Sequence, residues 1–208
     1  MKLISSLLLL LVVSFKSYAQ EYTKIADPKA CKAALEKQHK ETKAIQADFT
    51  ETATSSLLTN AQKGTGKMWY KKENKIRWEK TKPESQVILI NGKTVKLQEK
   101  GKEVSSASSK MVVKKIQSLM VQMMTGEFLN EKEFKISYLE NKSNYKLILT
   151  PKSDKMKRYV SEINLIFGKK ELTIKELTML TDSDNKLVYN FSNMEVNGTI
   201  NDTKFTTF

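Results

Sequence analysis

The residues best equipped for chemistry are few and far apart. The 208-residue chain holds one cysteine, Cys31, and one histidine, His39. A thiolate–imidazole pair needs a third group to orient the base, and two residues on one expected helix bring none. One Cys and one His fall short of the roughly four ligands of a structural zinc site. A lone cysteine also closes no disulfide within the chain. Cys31 therefore reads as a small buried hydrophobe, and His39 as an exposed helix residue without a role. Asp182-Ser183-Asp184-Asn185 looks like half a calcium loop, but the glycine and the distal glutamate are missing, so it reads as a hairpin turn. The 7 glycines and 3 prolines form neither a P-loop nor a dinucleotide fingerprint. No cofactor and no metal are expected, and no catalytic constellation assembles; a hydrolase is the weakest of the functional readings.

Lys and Arg number 36 against 23 Asp and Glu, a formal net charge of +13. The lysines are scattered, and arginine occurs only as Arg77 and Arg158. The excess fits a solvated lysine-rich surface, or attraction to an anionic membrane surface or an acidic partner. Without a basic, aromatic-rich motif, nucleic acid is not an expected partner. Residues 1–19 read as a secretory signal peptide: Lys2, an apolar run over Leu3–Val13, then small residues around Ser17-Tyr18-Ala19. Cleavage after Ala19 leaves residues 20–208 as a single exported domain. The residue after the cut is not Cys, so no lipid anchor is expected. No later stretch is long and apolar enough to span a membrane.

The elements that must position any site follow from periodicity. Asp27-Pro28 opens a helix, with an N-cap and a proline at the first helical position. Its apolar stripe, including Cys31, Ala34 and Leu35, runs to Ile45. From Phe49 the period becomes two, and strands are expected at 46–54, 64–71, 75–80, 86–90 and 94–98, with Asn91-Gly92 as a hairpin signal. Residues 110–125 break the pattern as an amphipathic helix whose stripe includes Val112, Ile116, Leu119, Met120 and Met123. Strands resume at 134–140, 145–150, 158–167, 171–180, 186–192 and 204–208. About eleven strands joined by hairpins make a large antiparallel sheet, mainly β, and the Met-bearing helix is the natural cover for its greasy face. The strands carry Phe49, Met68, Ile76, Trp78, Val87, Leu89, Leu147, Leu149, Ile163 and Leu165. Periodicity leaves open whether these residues pack solid or line a cavity. It also leaves open whether Trp69 and Trp78 are core aromatics or ligand contacts.

One block is recognisable. Ile45-Gln46-Ala47-Asp48-Phe49-Thr50-Glu51-Thr52 resembles the opening strand of the LolA family of periplasmic lipoprotein carriers. Gly64-Thr65-Gly66-Lys67-Met68-Trp69-Tyr70-Lys71-Lys72-Glu73-Asn74-Lys75-Ile76-Arg77-Trp78, and then Pro83 through Thr94, are similar to the same family. Leu149-Thr150-Pro151-Lys152 and Lys204-Phe205-Thr206 resemble later landmarks. The resemblance implies an unclosed antiparallel β-barrel covered by helices, with an apolar cavity lined by the strand and helix residues above. It implies a periplasmic monomer that shelters the acyl chains of lipoproteins and shuttles them from inner to outer membrane. An inner-membrane lipoprotein-releasing transporter would load it, and an outer-membrane receptor is left open. It also implies that hydrogen bonds from an Arg lock the lid over the empty cavity, where a Lys, lacking the bidentate fork, would hold it more weakly or differently. That position falls on Lys72, with Arg77 as an alternative donor whose alternation with Ile76 and Trp78 points it outward. Glu73 stands where the family usually carries proline, and a Pro-rich tail is missing after Phe208. The same fold carrying a glycolipid or another amphiphile, or serving as an envelope-stress sensory module, are the competing readings.

Overall fold

The computed structural model describes residues 21–56, 58–104, 122–123, 126–181 and 185–208. Twelve antiparallel strands form one sheet. In chain order they are β1 (Thr23–Lys24), β2 (Ala44–Thr54), β3 (Gln62–Lys71), β4 (Lys75–Lys82), β5 (Gln86–Asn91), β6 (Thr94–Glu99), β7 (Lys102–Glu103), β8 (Phe134–Glu140), β9 (Asn144–Pro151), β10 (Glu162–Gly168), β11 (Ile174–Leu180) and β12 (Lys186–Val196). Their spatial order is β1-β8-β9-β10-β11-β12-β2-β3-β4-β5-β6-β7. The terminal strands β1 and β7 do not pair with each other, so the barrel stays unclosed, as the sequence leads one to expect. Both edge strands are two residues long, which limits the unpaired backbone they offer to another chain.

Helix α1 spans Pro28–Glu41. The Asp27 carboxylate accepts from the Ala30 amide at 3.0 Å, closing the first turn as an N-cap should. The helix ends before Ile45, which belongs to β2 instead. Thr42 terminates it in an extended conformation. A one-turn helix, α2 (Asp154–Lys157), precedes β10, and the strand expected from 158 begins only at Glu162. The last strand expected at 204–208 does not form; Asp202–Phe205 make a 3-10 turn instead. The β5–β6 hairpin loop falls on Gly92-Lys93, because Asn91 already pairs with Thr94 and Gly92 takes the positive φ. The expected helix at 110–125 lies outside the described residues except at 122–123.

The core sits on the inner face of the sheet. The register places Ile76 opposite Ile90, Trp78 opposite Ile88 and Met68 opposite Trp78, so these side chains share one face. Leu149 and Ile163 pair across β9 and β10, as do Leu147 and Leu165. All of them join one buried cluster with Phe134, Cys31 and Leu35. A second, smaller cluster lies on the outer face, where Ala44, Ile200 and Phe205 are buried and Trp69 packs against them.

Candidate functional site

The inner face brings together Phe49, Met68, Ile76, Trp78, Met123, Leu147, Leu149, Ile163 and Leu165, all buried in one cluster. Ile116, Leu119 and Met120 lie outside the described residues. Val87 and Leu89 do not belong with the rest. Arg77 pairs with Leu89 and Glu79 with Val87, so both β5 side chains lie on the outer face, and Ile88 and Ile90 take the inner one. The reason is local. Gln86–Asn91 carries four apolar residues in succession, and no alternation marks which pair faces inward. Both faces of β5 are covered, the outer one by the C-terminal 3-10 turn, which packs on β4 and β5.

Where a hollow is expected, the protein's own rings meet. Phe49 stacks on Trp78 with centroids 4.4 Å apart and planes 24° apart. Tyr189 stands edge-on to both, at 5.6 Å and 5.0 Å, and Phe191 edges onto Trp78 at 6.1 Å. These offset and T-shaped contacts suit the ring quadrupoles. Beneath the C-terminal half of α1 is a cavity of about 30 Å³, lined by residues including Ile45, Met123 and Phe167. The apolar cavity implied by the resemblance is thus closed at this aromatic group.

A polar group interrupts this apolar floor. Glu51 on β2 and Lys80 on β4 form a partly buried ion pair across β3, above the bare backbone of Gly64. The Tyr189 hydroxyl hydrogen-bonds the same carboxylate, and burial together with the Glu51 charge pushes its pKa far above the ordinary phenol value. An ion pair in such surroundings needs its remaining bonds satisfied to persist, and Tyr189 supplies one. Nothing in the alternating pattern of the three strands singles this trio out, because its members meet only through strand register.

Both basic candidates have definite partners. Lys72 lies in the β3–β4 turn, and its Nζ donates to the Lys40 carbonyl in the last turn of α1 at 2.5 Å. A cation there satisfies an orphan carbonyl and complements the negative end of the helix dipole. Two further bonds hold the same end: Asn197 Nδ2 donates to the Glu41 carbonyl at 3.3 Å, and Thr42 Oγ1 to that of Gln38 at 2.7 Å. Glu73 beside Lys72 has φ +72°. Proline, fixed near −65°, could not occupy that position, so the residue found here and the turn shape that aims Lys72 go together.

Arg77 does something else. It is 8% exposed on the outer face, where Nε donates to Glu79 at 2.7 Å and Nη1 to the carbonyls of Thr207 at 2.7 Å and Lys204 at 3.3 Å. It clamps the C-terminal segment and does not touch α1. Trp69 shares that outer face, with Lys204 Nζ 4.6 Å above its ring.

Cys31 is buried, and burial, reinforced by nearby Glu140, raises its thiol from the ordinary 9.0 to about 11. It stays protonated at neutral pH and is no nucleophile. His39 is half-buried rather than exposed, edge-on to Phe128 and Phe167 at 6.0 Å and 6.4 Å.

Residues 40–207 match the family described as outer membrane lipoprotein carrier protein LolA. The outer-membrane lipoprotein carrier protein of Coxiella burnetii (strain CbuK_Q154) is 26% identical over 161 residues, covering 77% of this chain and 74% of that protein. Its counterpart in Cronobacter sakazakii is 24% identical over 164 residues, covering 78% and 75%. Among solved structures, a LolA superfamily protein from Nitrosomonas europaea aligns over 85% of this chain and 97% of its own, at 13% identity and TM-score 0.42. Mycobacterium tuberculosis lipoprotein LppX aligns over 83% and 98%, at 10% identity and TM-score 0.43. By the match over residues 40–207, this chain belongs to the LolA family of outer-membrane lipoprotein carrier proteins.

Proposed function

We propose that this protein is exported to the periplasm, loses its signal peptide after Ala19, and carries acylated lipoproteins from the inner to the outer membrane. Acyl chains are insoluble in water, and each buried methylene contributes about 0.8 kcal/mol, so a carrier must offer them a continuous apolar surface. The inner face, from Phe134 on β8 through Trp78 on β4 to Leu97 on β6, is such a surface.

The observation that carries this reading is the way α1 is held against that face. The helix buries only Cys31 and Leu35, and its C-terminal end is tied by side-chain-to-carbonyl bonds from Lys72, Asn197 and Thr42. Such bonds are worth about 1 kcal/mol each and are re-formed with water on opening. The helix can therefore leave the sheet at modest cost, and the rings of Phe49, Trp78, Tyr189 and Phe191 can part to admit acyl chains. Closing the lid and restacking the rings would in turn drive cargo off at the outer membrane. An inner-membrane lipoprotein-releasing transporter is the expected source of cargo.

The test is release of lipoproteins from spheroplasts by the purified mature protein. A soluble complex containing acylated lipoprotein supports the proposal. Failure to form one, where an established carrier succeeds, overturns it. Mass spectrometry of the complex separates lipoprotein from glycolipid or another amphiphile.

A further inference from the structure

A hollow of about 1040 Å³ opens on the rim where β4 and β6 end and β3 and β5 begin. Its walls carry Lys63, Lys80, Lys100 and Lys102 against Glu84 and Glu99. Glu84 is paired with Lys100 at 2.7 Å, and Lys80 is paired inward with Glu51. Lys63 and Lys102 are exposed, and neither makes an ion pair with the described residues. The hollow is large enough for several amino-acid residues, and its wall charge is net positive.

This hollow adjoins the apolar interior. Lys80 lies on the same strand and the same face as Trp78, and its partner Glu51 is bonded to Tyr189, whose ring meets Trp78 and Phe49. A chain lodged against those rings would bring its polar end past the Lys80–Glu51 pair into the hollow. A bilayer, being flat, would meet the rim and not enter a concavity; a peptide can.

We infer that the hollow seats the polypeptide that directly follows the acylated residue of the cargo, and that it favours acidic side chains there. This inference rests on the carrier reading above. Its contribution is a selectivity that the apolar face cannot provide, since acyl chains are alike from one lipoprotein to the next.

Three synthetic lipopeptides test it. Each shares a triacylated Cys-Ser head and continues with a short run of Asp, Gln or Lys. Binding to the full mature chain is followed through tryptophan fluorescence, because Trp78 lies in the interior. The Asp peptide should bind about fivefold more tightly than the Gln peptide and the Lys peptide more weakly, in keeping with a few partly exposed charge pairs. Raising the salt to about 0.5 M should compress the series. The doubly substituted K63E/K102E variant should lose or reverse the order while holding the Gln peptide as before, which also shows that it folds. Equal affinities for all three peptides, or preference for Lys, overturn the inference and leave the carrier reading standing. Binding of none overturns both.

Discussion

The Phe49 ring lies directly against the backbone of Gly66. A Cβ at that glycine would sit 2.3 Å from Phe49 Cζ and 2.2 Å from the Glu79 carbonyl oxygen. The glycine is what lets Phe49 cross β3 and stack on Trp78 of β4. A motif that reads in the sequence as Gly-x-Gly thus has two separate uses: Gly66 admits the ring, and Gly64 admits the Lys80 stem on its way to Glu51.

Gly66→Ala should accordingly be among the more damaging small substitutions in the chain. Neither the ring nor the carbonyl can give way without unstacking Trp78 or bending β4. A loss of about 2–4 kcal/mol is expected, in the range of overpacking combined with a displaced core aromatic, read from urea unfolding. Gly92→Ala, in an open turn with nothing near its absent Cβ, should cost less, through its positive φ alone.

Lys80→Met leaves the Glu51 carboxylate without its cation in a largely apolar setting. Partial exposure of both side chains tempers the loss to about 2 kcal/mol. The double variant Lys80→Met, Glu51→Gln should recover part of that stability, because the uncompensated charge is gone while Tyr189 keeps a partner. If the double variant is less stable than the single one, the pair is not electrostatic in the way described.

Lys72 and Arg77 should separate cleanly by readout. Lys72→Met removes the bond to the Lys40 carbonyl, so the amides of α1 should exchange faster with deuterium while those of the C-terminal segment do not change. Arg77→Met should do the reverse, loosening residues 202–208 and leaving α1 protected. Lys72→Arg should restore much of the protection, since the carbonyl needs a donor and the helix end favours any cation. If the carrier reading holds, Lys72→Met should also alter lipoprotein release more than Arg77→Met does.

Stability should fall in alkali through Cys31. Its folded thiol titrates at about 11 against an ordinary 9.0. Between those values the unfolded chain has released a proton that the folded chain retains. The contribution is therefore complete below about pH 9 and is lost as pH rises toward 11, amounting to at most about 3 kcal/mol. Tyr138 and Tyr189, raised mainly by burial, act in the same direction above their ordinary 10.0. Comparing urea midpoints at about pH 8 and about pH 10 for wild type and Cys31→Ala isolates the thiol: the variant should show the shallower decline.

Local periodicity and capping signals determined much of this protein. They located α1, most of the strands and an antiparallel sheet, because a half-buried strand must alternate and a capped amphipathic helix must repeat near 3.6 residues. They also placed Trp78 and Arg77 on opposite faces of β4. Only the folded chain decided the rest. Val87 and Leu89 turn outward because the C-terminal turn supplies them a second apolar cover, and a run of four apolar residues holds no record of which face that cover will reach. The Lys80–Glu51–Tyr189 group, the grip of Lys72 on α1 and the closing of the aromatic floor each join residues far apart in the chain. Contacts of that kind depend on register and on the shape of turns such as the one at Glu73, and local residue preferences do not encode them.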